Sequence, residues 1–352
     1  MDRGAPARLS ELLSDTRRLA LVGLAKNTGK TETLSAILSE HAAAHTRVGV
    51  TSIGRDGEAR DVIDGRIEKP RVHLAAGSLV ATTGELLRAS GVAHERLAQT
   101  GVRTPLGEVV LARVTEPGTV EVAGPSAAAD IRAVSDAMVG LGAEQVLIDG
   151  AIDRRAASSP MVSDGLLMAT GAVLGEDIER VVATTVDAVE LVRLPRASAR
   201  TESGAARAPG DADAEQLALE RRLVLNGEPA EIAALLKEHP RASTLRVDGA
   251  LSEPFLEGLL SARRERAGRE LTIVAGDPTR VFLSRHGPSW YRRQGLAIEV
   301  RQTIELKAIT VNPLAPQSHR FDSRQLRELI ESAVPDVPVL DVLDASYLAL
   351  AK

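Results

Sequence analysis

Gly29, Lys30 and Thr31 follow one another in the stretch LVGLAKNTGKTETL, and Gly23 stands six positions before Gly29. Residues of these types at this spacing can hold a chain of phosphates. Glycines let backbone N–H groups approach an anion, a lysine ammonium can reach the β- and γ-phosphate oxygens, and a threonine hydroxyl can sit on Mg²⁺. The common form of such a loop is G-x-x-x-x-G-K-[ST]. Here five residues part the two glycines, and Leu24 stands where the first glycine is expected, so the loop is one residue long. RRLALVG before it is a short apolar run ending in glycine, as a buried strand feeding a loop should be. TETLSAILSEHAAAH after it carries Leu34, Ile37, Leu38 and Ala42 at helical spacing. A loop between a buried strand and a helix turns several N–H groups inward together, and the helix dipole adds to their pull on an anion. Phosphate and nucleotide contacts are therefore expected from Gly23, Asn27, Thr28, Gly29, Lys30, Thr31 and Thr33.

Phosphate-bound Mg²⁺ keeps several waters and takes one or two carboxylates from the protein. Asp149 of VLIDG follows an apolar run near the end of a predicted strand, where an acid can face a nucleotide, although an Asp-Gly turn has the same spelling. Thr31, Asp56 and Asp149 form the candidate metal set; Glu58 shares the SIGRDGE segment, and either acid there is also read as a solvated loop residue. Lys30, Asp149 and Arg154 are the candidate catalytic residues. An arginine among Asp153, Arg154 and Arg155 can meet charge developing on a γ-phosphate, and it can equally open a surface helix. Asn312 in ITVNP can read a base or make an Asn-Pro turn. His41 and His45 are spaced i, i+4, but no third ligand accompanies them. The absence of NKxD favours ATP over GTP.

Composition narrows the partners. A formal charge of -5 and a pI near 5.9 give no broad basic surface for a nucleic acid backbone. The chain has no cysteine, which excludes disulfides, thiolate metal sites and cysteine nucleophiles. No stretch approaches the roughly 18 apolar residues of a membrane span, and no secretory leader is visible, so a cytoplasmic location is expected. Only six residues are aromatic, three Phe, two Tyr and one Trp, so the cores must be built from aliphatic side chains.

The pattern over the first half alternates strand and helix, which implies a doubly wound, mostly parallel α/β sheet of P-loop NTPase type over residues 1 to 195. LGEVVLARV and TVEVAGP are expected to form a hairpin around EPG. Residues 196 to 216 lack a hydrophobic period and read as a linker. A second α/β domain is expected over 217 to 352, with the alternative that LKAITVNP and VPVLDVL complete the first sheet.

The long loop G-x5-G-K-[ST] resembles that of dethiobiotin synthetase and the cobyrinic and cobyric acid amide synthetases, P-loop proteins of the SIMIBI class. Ala25, Lys26 and Asn27 replace the acidic and hydroxylated positions those loops carry, and without cysteine the amide synthetases' glutaminase chemistry cannot be complete in this chain. Lys26 lies one position closer to Lys30 than the extra lysine of MinD-type loops. Taken in order, VGLAKNTGKT, TSIGRDGE, VAGPS, LIDGAIDRRAASSP, MATGA, GDPTRVFL and AITVNP resemble the ATP-binding subunit of the lysine 5,6-aminomutase reactivase. That resemblance implies Mg-ATP-dependent remodelling of an adenosylcobalamin-dependent aminomutase, with exchange of damaged cofactor and a MutS-like second subunit as partner. A homodimer is among the expected assemblies. The competing readings are an ATP-dependent ligase of dethiobiotin-synthetase type and a cofactor- or metal-delivery NTPase.

Overall fold

A computed structural model describes residues 8–54, 71–151, 158–198, 215–264, 270–316 and 319–350. In chain order its strands are β1 (Arg18–Gly23), β2 (Val48–Ser52), β3 (Arg71–Leu74), β4 (Leu79–Thr83), β5 (His94–Thr104), β6 (Gly107–Val114), β7 (Gly118–Glu121), β8 (Gln145–Ala151) and β9 (Gly165–Gly171). They continue as β10 (Glu215–Leu219), β11 (Ala242–Val247), β12 (Leu251–Ser252), β13 (Leu271–Ala275), β14 (Val281–Phe282), β15 (Leu296–Val300), β16 (Glu305–Asn312) and β17 (Val339–Leu340). The protein is mixed α/β, and it divides into two compact units: residues 1–185 with 305–352, and residues 186–304.

The first unit is organised around a nine-stranded sheet in the order β17-β16-β9-β1-β8-β2-β4-β6-β5. Pairing is parallel from β17 through to β4, and β6 pairs antiparallel with both β4 and β5, so that β6 alone runs against the other strands. Unbroken apolar runs form the central strands because a parallel sheet is covered on both faces. Leu19, Leu21, Val50, Leu147 and Leu167 are accordingly all fully buried. The helix Lys30–Ala43 buries Leu34, Ile37 and Leu38 against this core. Its far end is tied down by Glu40, which accepts from the Ser10 N–H at 2.7 Å and from the buried Tyr347 hydroxyl. Burial and the Glu40 carboxylate both push the Tyr347 phenol up.

The last strands depart from the expected division. β16 pairs in parallel with β9 from Glu305↔Gly165 to Asn312↔Gly171, and β17 extends the edge, so LKAITVNP and VPVLDVL complete the first sheet and the second unit ends at residue 304. Both described ends of the expected linker belong to the second unit's pairing, because Ala197 N–H donates to Val300 O at 2.7 Å, and Glu215 and Gln216 open β10; the rest of it lies outside the described residues. Backbone pairing consumed residues whose side chains carry no hydrophobic period. The EPG hairpin is not made. β6 instead pairs with β5 and β4, while β7 pairs with β3 in a small antiparallel ribbon. The polar β5, HERLAQTGVRT, alternates between exposed and half-buried residues at the sheet's edge, which is why no buried-strand pattern announced it.

The second unit holds a four-stranded parallel sheet, β10-β11-β13-β15. Leu245, Ile273, Leu296 and Val300 are fully buried in its core with Leu256, Leu259 and Tyr291. Glu253, at the start of the helix Glu253–Arg264, accepts from the backbone N–H of Ser284 at 3.0 Å and of Arg285 at 3.1 Å, and from the Tyr291 hydroxyl at 3.0 Å. Burial raises this carboxyl, but the Ser284 hydroxyl and the Arg285 N–H outweigh it and hold Glu253 below the ordinary glutamate value. No helix among the described residues is long and apolar enough to cross a membrane.

Candidate functional site

β1 ends at Gly23, and the chain turns back on itself within a few residues. A Cβ at Gly23 would lie 2.6 Å from Thr28 Oγ1, closer than packed atoms approach, so the reversal requires glycine there. Thr28 is buried, and its hydroxyl closes the turn by donating to Ala25 O at 3.0 Å. Asn27 and Gly29 both adopt left-handed backbone, with φ of 64° and 84°. Asparagine is among the few side chains that tolerate this, and glycine pays no steric cost. Left-handed residues interleaved in a turn aim successive N–H groups into one concavity, which suits an anion.

The helix Lys30–Ala43 starts directly from Gly29, and no side chain caps it. Its first-turn N–H groups therefore lack intrahelical partners and stand at the positive end of a 14-residue helix. Thr31 is exposed in that first turn. Lys30 Nζ forms an ion pair with Asp149 Oδ1 in close contact, both side chains being about one-fifth exposed (23% and 21%). Sheet order produces this pair: β1 lies beside β8, with Leu21 opposite Asp149. A strand-ending Asp-Gly turn is not what forms, because Asp149 lies inside β8 and pairs on its other side with Ser52 at the end of β2.

Asn312 ends β16, next to β9 and 285 residues from Asn27 in sequence. Its amide nitrogen donates to Asn27 O at 2.9 Å, and its amide oxygen accepts from Leu314 N at 3.1 Å. The second bond is the Asn-Pro turn that the sequence allowed. The first bond was not foreseen, and with it the amide holds the loop instead of standing free to read a base. A Cβ added at Gly29 would sit 3.0 Å from Asn312 Cβ, so the two segments are in full contact. Thr33 adds a second tie: its hydroxyl donates to Gly29 O at 2.9 Å and lies 2.8 Å from Thr310 Oγ1. Thr310 is thus a further member of the site, which no local pattern could announce because 277 residues separate it from Thr33.

The structure therefore brings Gly23, Asn27, Thr28, Gly29, Lys30, Thr31, Thr33, Asp149 and Asn312 to one end of the sheet. Asp56, Glu58, Asp153, Arg154 and Arg155 lie outside the described residues. The histidine pair does not form on a helix. His41 is buried against Gln145 Oε1 at 2.8 Å, whereas His45 follows the helix end with a left-handed φ of 55°. Among the described residues no group of three or more His, Cys, Asp or Glu is arranged to hold a metal by itself.

The site can cradle an oxyanion between loop N–H groups and Lys30, with a hydroxyl and a carboxylate alongside for a cation. No family model, curated protein or solved structure matches the chain.

Proposed function

We propose that the chain is a P-loop NTPase that binds Mg-ATP and uses the nucleotide as a conformational switch. One observation carries the reading: Gly29-Lys30-Thr31 sits at a strand-to-helix turn with Lys30 paired to Asp149 of the adjacent strand. An ammonium and a carboxylate held in contact at a helix N-terminus are the two charges that a triphosphate and its cation need. Lys30 would transfer its contact to the β- and γ-phosphates, while the Thr31 hydroxyl and Asp149, directly or through water, would hold Mg²⁺. When bound, Mg²⁺ supplies charge neutralisation on the phosphates. Loop N–H groups orient the phosphates, and Asn312 and Thr310 keep the loop in shape for them.

The resemblance of the quoted segments to the lysine 5,6-aminomutase reactivase supplies the proposed cellular role, which is release of damaged cofactor from an adenosylcobalamin-dependent aminomutase, with a MutS-like protein as second component. Nucleotide can drive such a cycle only through different affinities for two states, so an analogue that resists hydrolysis traps one of them.

Calorimetry with Mg-ATP on the wild-type chain and on Lys30→Ala tests the nucleotide site, with equal affinities counting against it. Pull-down from native lysate in ADP, ATP and the analogue tests the cellular role. Recovery of a cobalamin-dependent mutase or a MutS-like protein in a nucleotide-dependent way supports it, and a reproducible set with neither, from a lysate containing both, refutes it.

A further inference from the structure

The second unit carries a cluster of arginines at the carboxyl edge of its own parallel sheet. β11, β13 and β15 end at Val247, Ala275 and Val300, and the residues that follow are Asp248-Gly249, Gly276-Asp277 and Arg301. Arg301 Nη2 lies 3.1 Å from Asp248 Oδ1, and Arg246 Nη2 lies 3.7 Å from Asp248 Oδ2. Arg280 reaches the same edge from the turn after β13, with Nε 3.6 Å from Asp277 Oδ2. A Cβ at Gly276 would stand 3.4 Å from Arg280 Nε and 3.6 Å from Arg301 Nη2, so the bare glycine keeps the space between two guanidiniums open. A Cβ at Gly249 would lie 3.7 Å from Arg221 Nε, which brings a fourth arginine to the cluster.

The carboxylates present do not satisfy these cations. Asp277 is buried and engaged as a cap, accepting from Thr279 N at 2.9 Å and from the Thr279 hydroxyl. Asp248 is 57% exposed and is shared by Arg246 and Arg301. Among the described residues Arg221 has no acidic partner, and Arg246 Nε is buried without a hydrogen-bond partner there. Buried donors are nearly always paired, and a guanidinium N–H left without an acceptor marks a place where an acceptor is missing. The carboxyl edge of a parallel sheet is also where open α/β folds take their ligands.

We propose that this edge is a second anion site, distinct from the phosphate loop, which takes the phosphoryl or diphosphoryl group of a small molecule. Guanidiniums pair with phosphate oxygens in bidentate fashion, and several around one position favour a multiply charged oxyanion over a lone carboxylate. The exposed Asp248 is the group such an anion displaces from Arg246 and Arg301.

The test uses the full-length chain carrying Lys30→Ala, so that the loop lysine does not contribute, and inorganic pyrophosphate as probe in calorimetry at low ionic strength. One equivalent is expected to bind, more weakly as salt rises. Adding Arg280→Ala with Arg301→Ala should weaken binding by about tenfold or more. Arg221→Gln, which breaks no ion pair, should weaken it by roughly threefold without a change in thermal midpoint. Absence of pyrophosphate binding in the Lys30→Ala chain overturns the proposal. So does unchanged affinity in Arg221→Gln, the variant that decides if the double substitution fails to fold.

Discussion

Replacing Asn312 with alanine separates two roles that its position allows. Alanine keeps the Cβ, which a Cβ at Gly29 would approach to 3.0 Å, and removes only the amide that donates to Asn27 O at 2.9 Å and accepts from Leu314 N at 3.1 Å. Leu314 N lies at an exposed bond where water takes over the acceptor, so the loss there is small. The Asn27 bond matters more because Asn27 is left-handed at φ 64°, a conformation that costs on the order of 1 kcal/mol and relaxes when nothing holds it. A net hydrogen bond contributes about 1 kcal/mol, so the ratio of binding-shaped to relaxed loop should fall roughly fivefold. Apparent affinity falls with the populated fraction, by up to about that factor, for every ligand that uses the loop. Calorimetry with Mg-ATP, Mg-GTP and Mg-tripolyphosphate should therefore show the same loss, up to about fivefold, for all three. The thermal midpoint should fall by no more than about 2–4 °C, as expected of one surface bond in a unit of this size. A loss confined to ATP, with tripolyphosphate unchanged, would show that Asn312 reads the base and would refute the clamp. Unchanged affinity for all three would refute both roles.

Gly29→Ala forces a side chain into left-handed backbone at φ 84° and against Asn312, at a cost of about 1–2 kcal/mol, so Mg-ATP affinity should fall further than in Asn312→Ala; calorimetry showing equal or smaller loss contradicts the loop geometry. Glu253→Gln should destabilise the second unit by about 1–3 kcal/mol at neutral pH, because Ser284, Arg285 and Tyr291 lose a charged acceptor. Glu253 is held below the ordinary glutamate value, so its contribution is complete above that value and disappears as pH falls through the folded-state value. The gap between wild type and variant should close in acid. Fluorescence of Trp290, the only tryptophan, followed in urea reads this unit selectively, and a gap that widens in acid would reverse the assignment.

Much of the site was legible because its signals are local. Five residues between two glycines, an apolar run before and a helical period after are enough to place Gly29, Lys30 and Thr31 at a strand-to-helix junction, since neighbouring residues set backbone turn and periodicity. The acid in VLIDG was legible as a candidate, but its partner was not: Lys30 meets Asp149 because β8 and not β2 lies beside β1, a matter of strand order. The EPG hairpin failed for a related reason. Neighbouring strand-like runs suggested pairing, while an exposed edge strand with no buried face won the contact with β6.

The amino-acid sequence by itself determined the G-x5-G-K-T spelling of the loop, the aliphatic and cysteine-free cores, and the helix that follows the loop, all of which follow from residue type and short-range period. Tertiary structure alone decided that the chain returns after residue 304 to add β16 and β17 to the first sheet, and that Asn312 and Thr310 thereby clasp a loop formed nearly three hundred residues earlier. An apolar strand such as AITV satisfies a parallel sheet in either unit. The choice between them rests on which edge offers unpaired N–H and C=O groups in register, and β9 offered that edge.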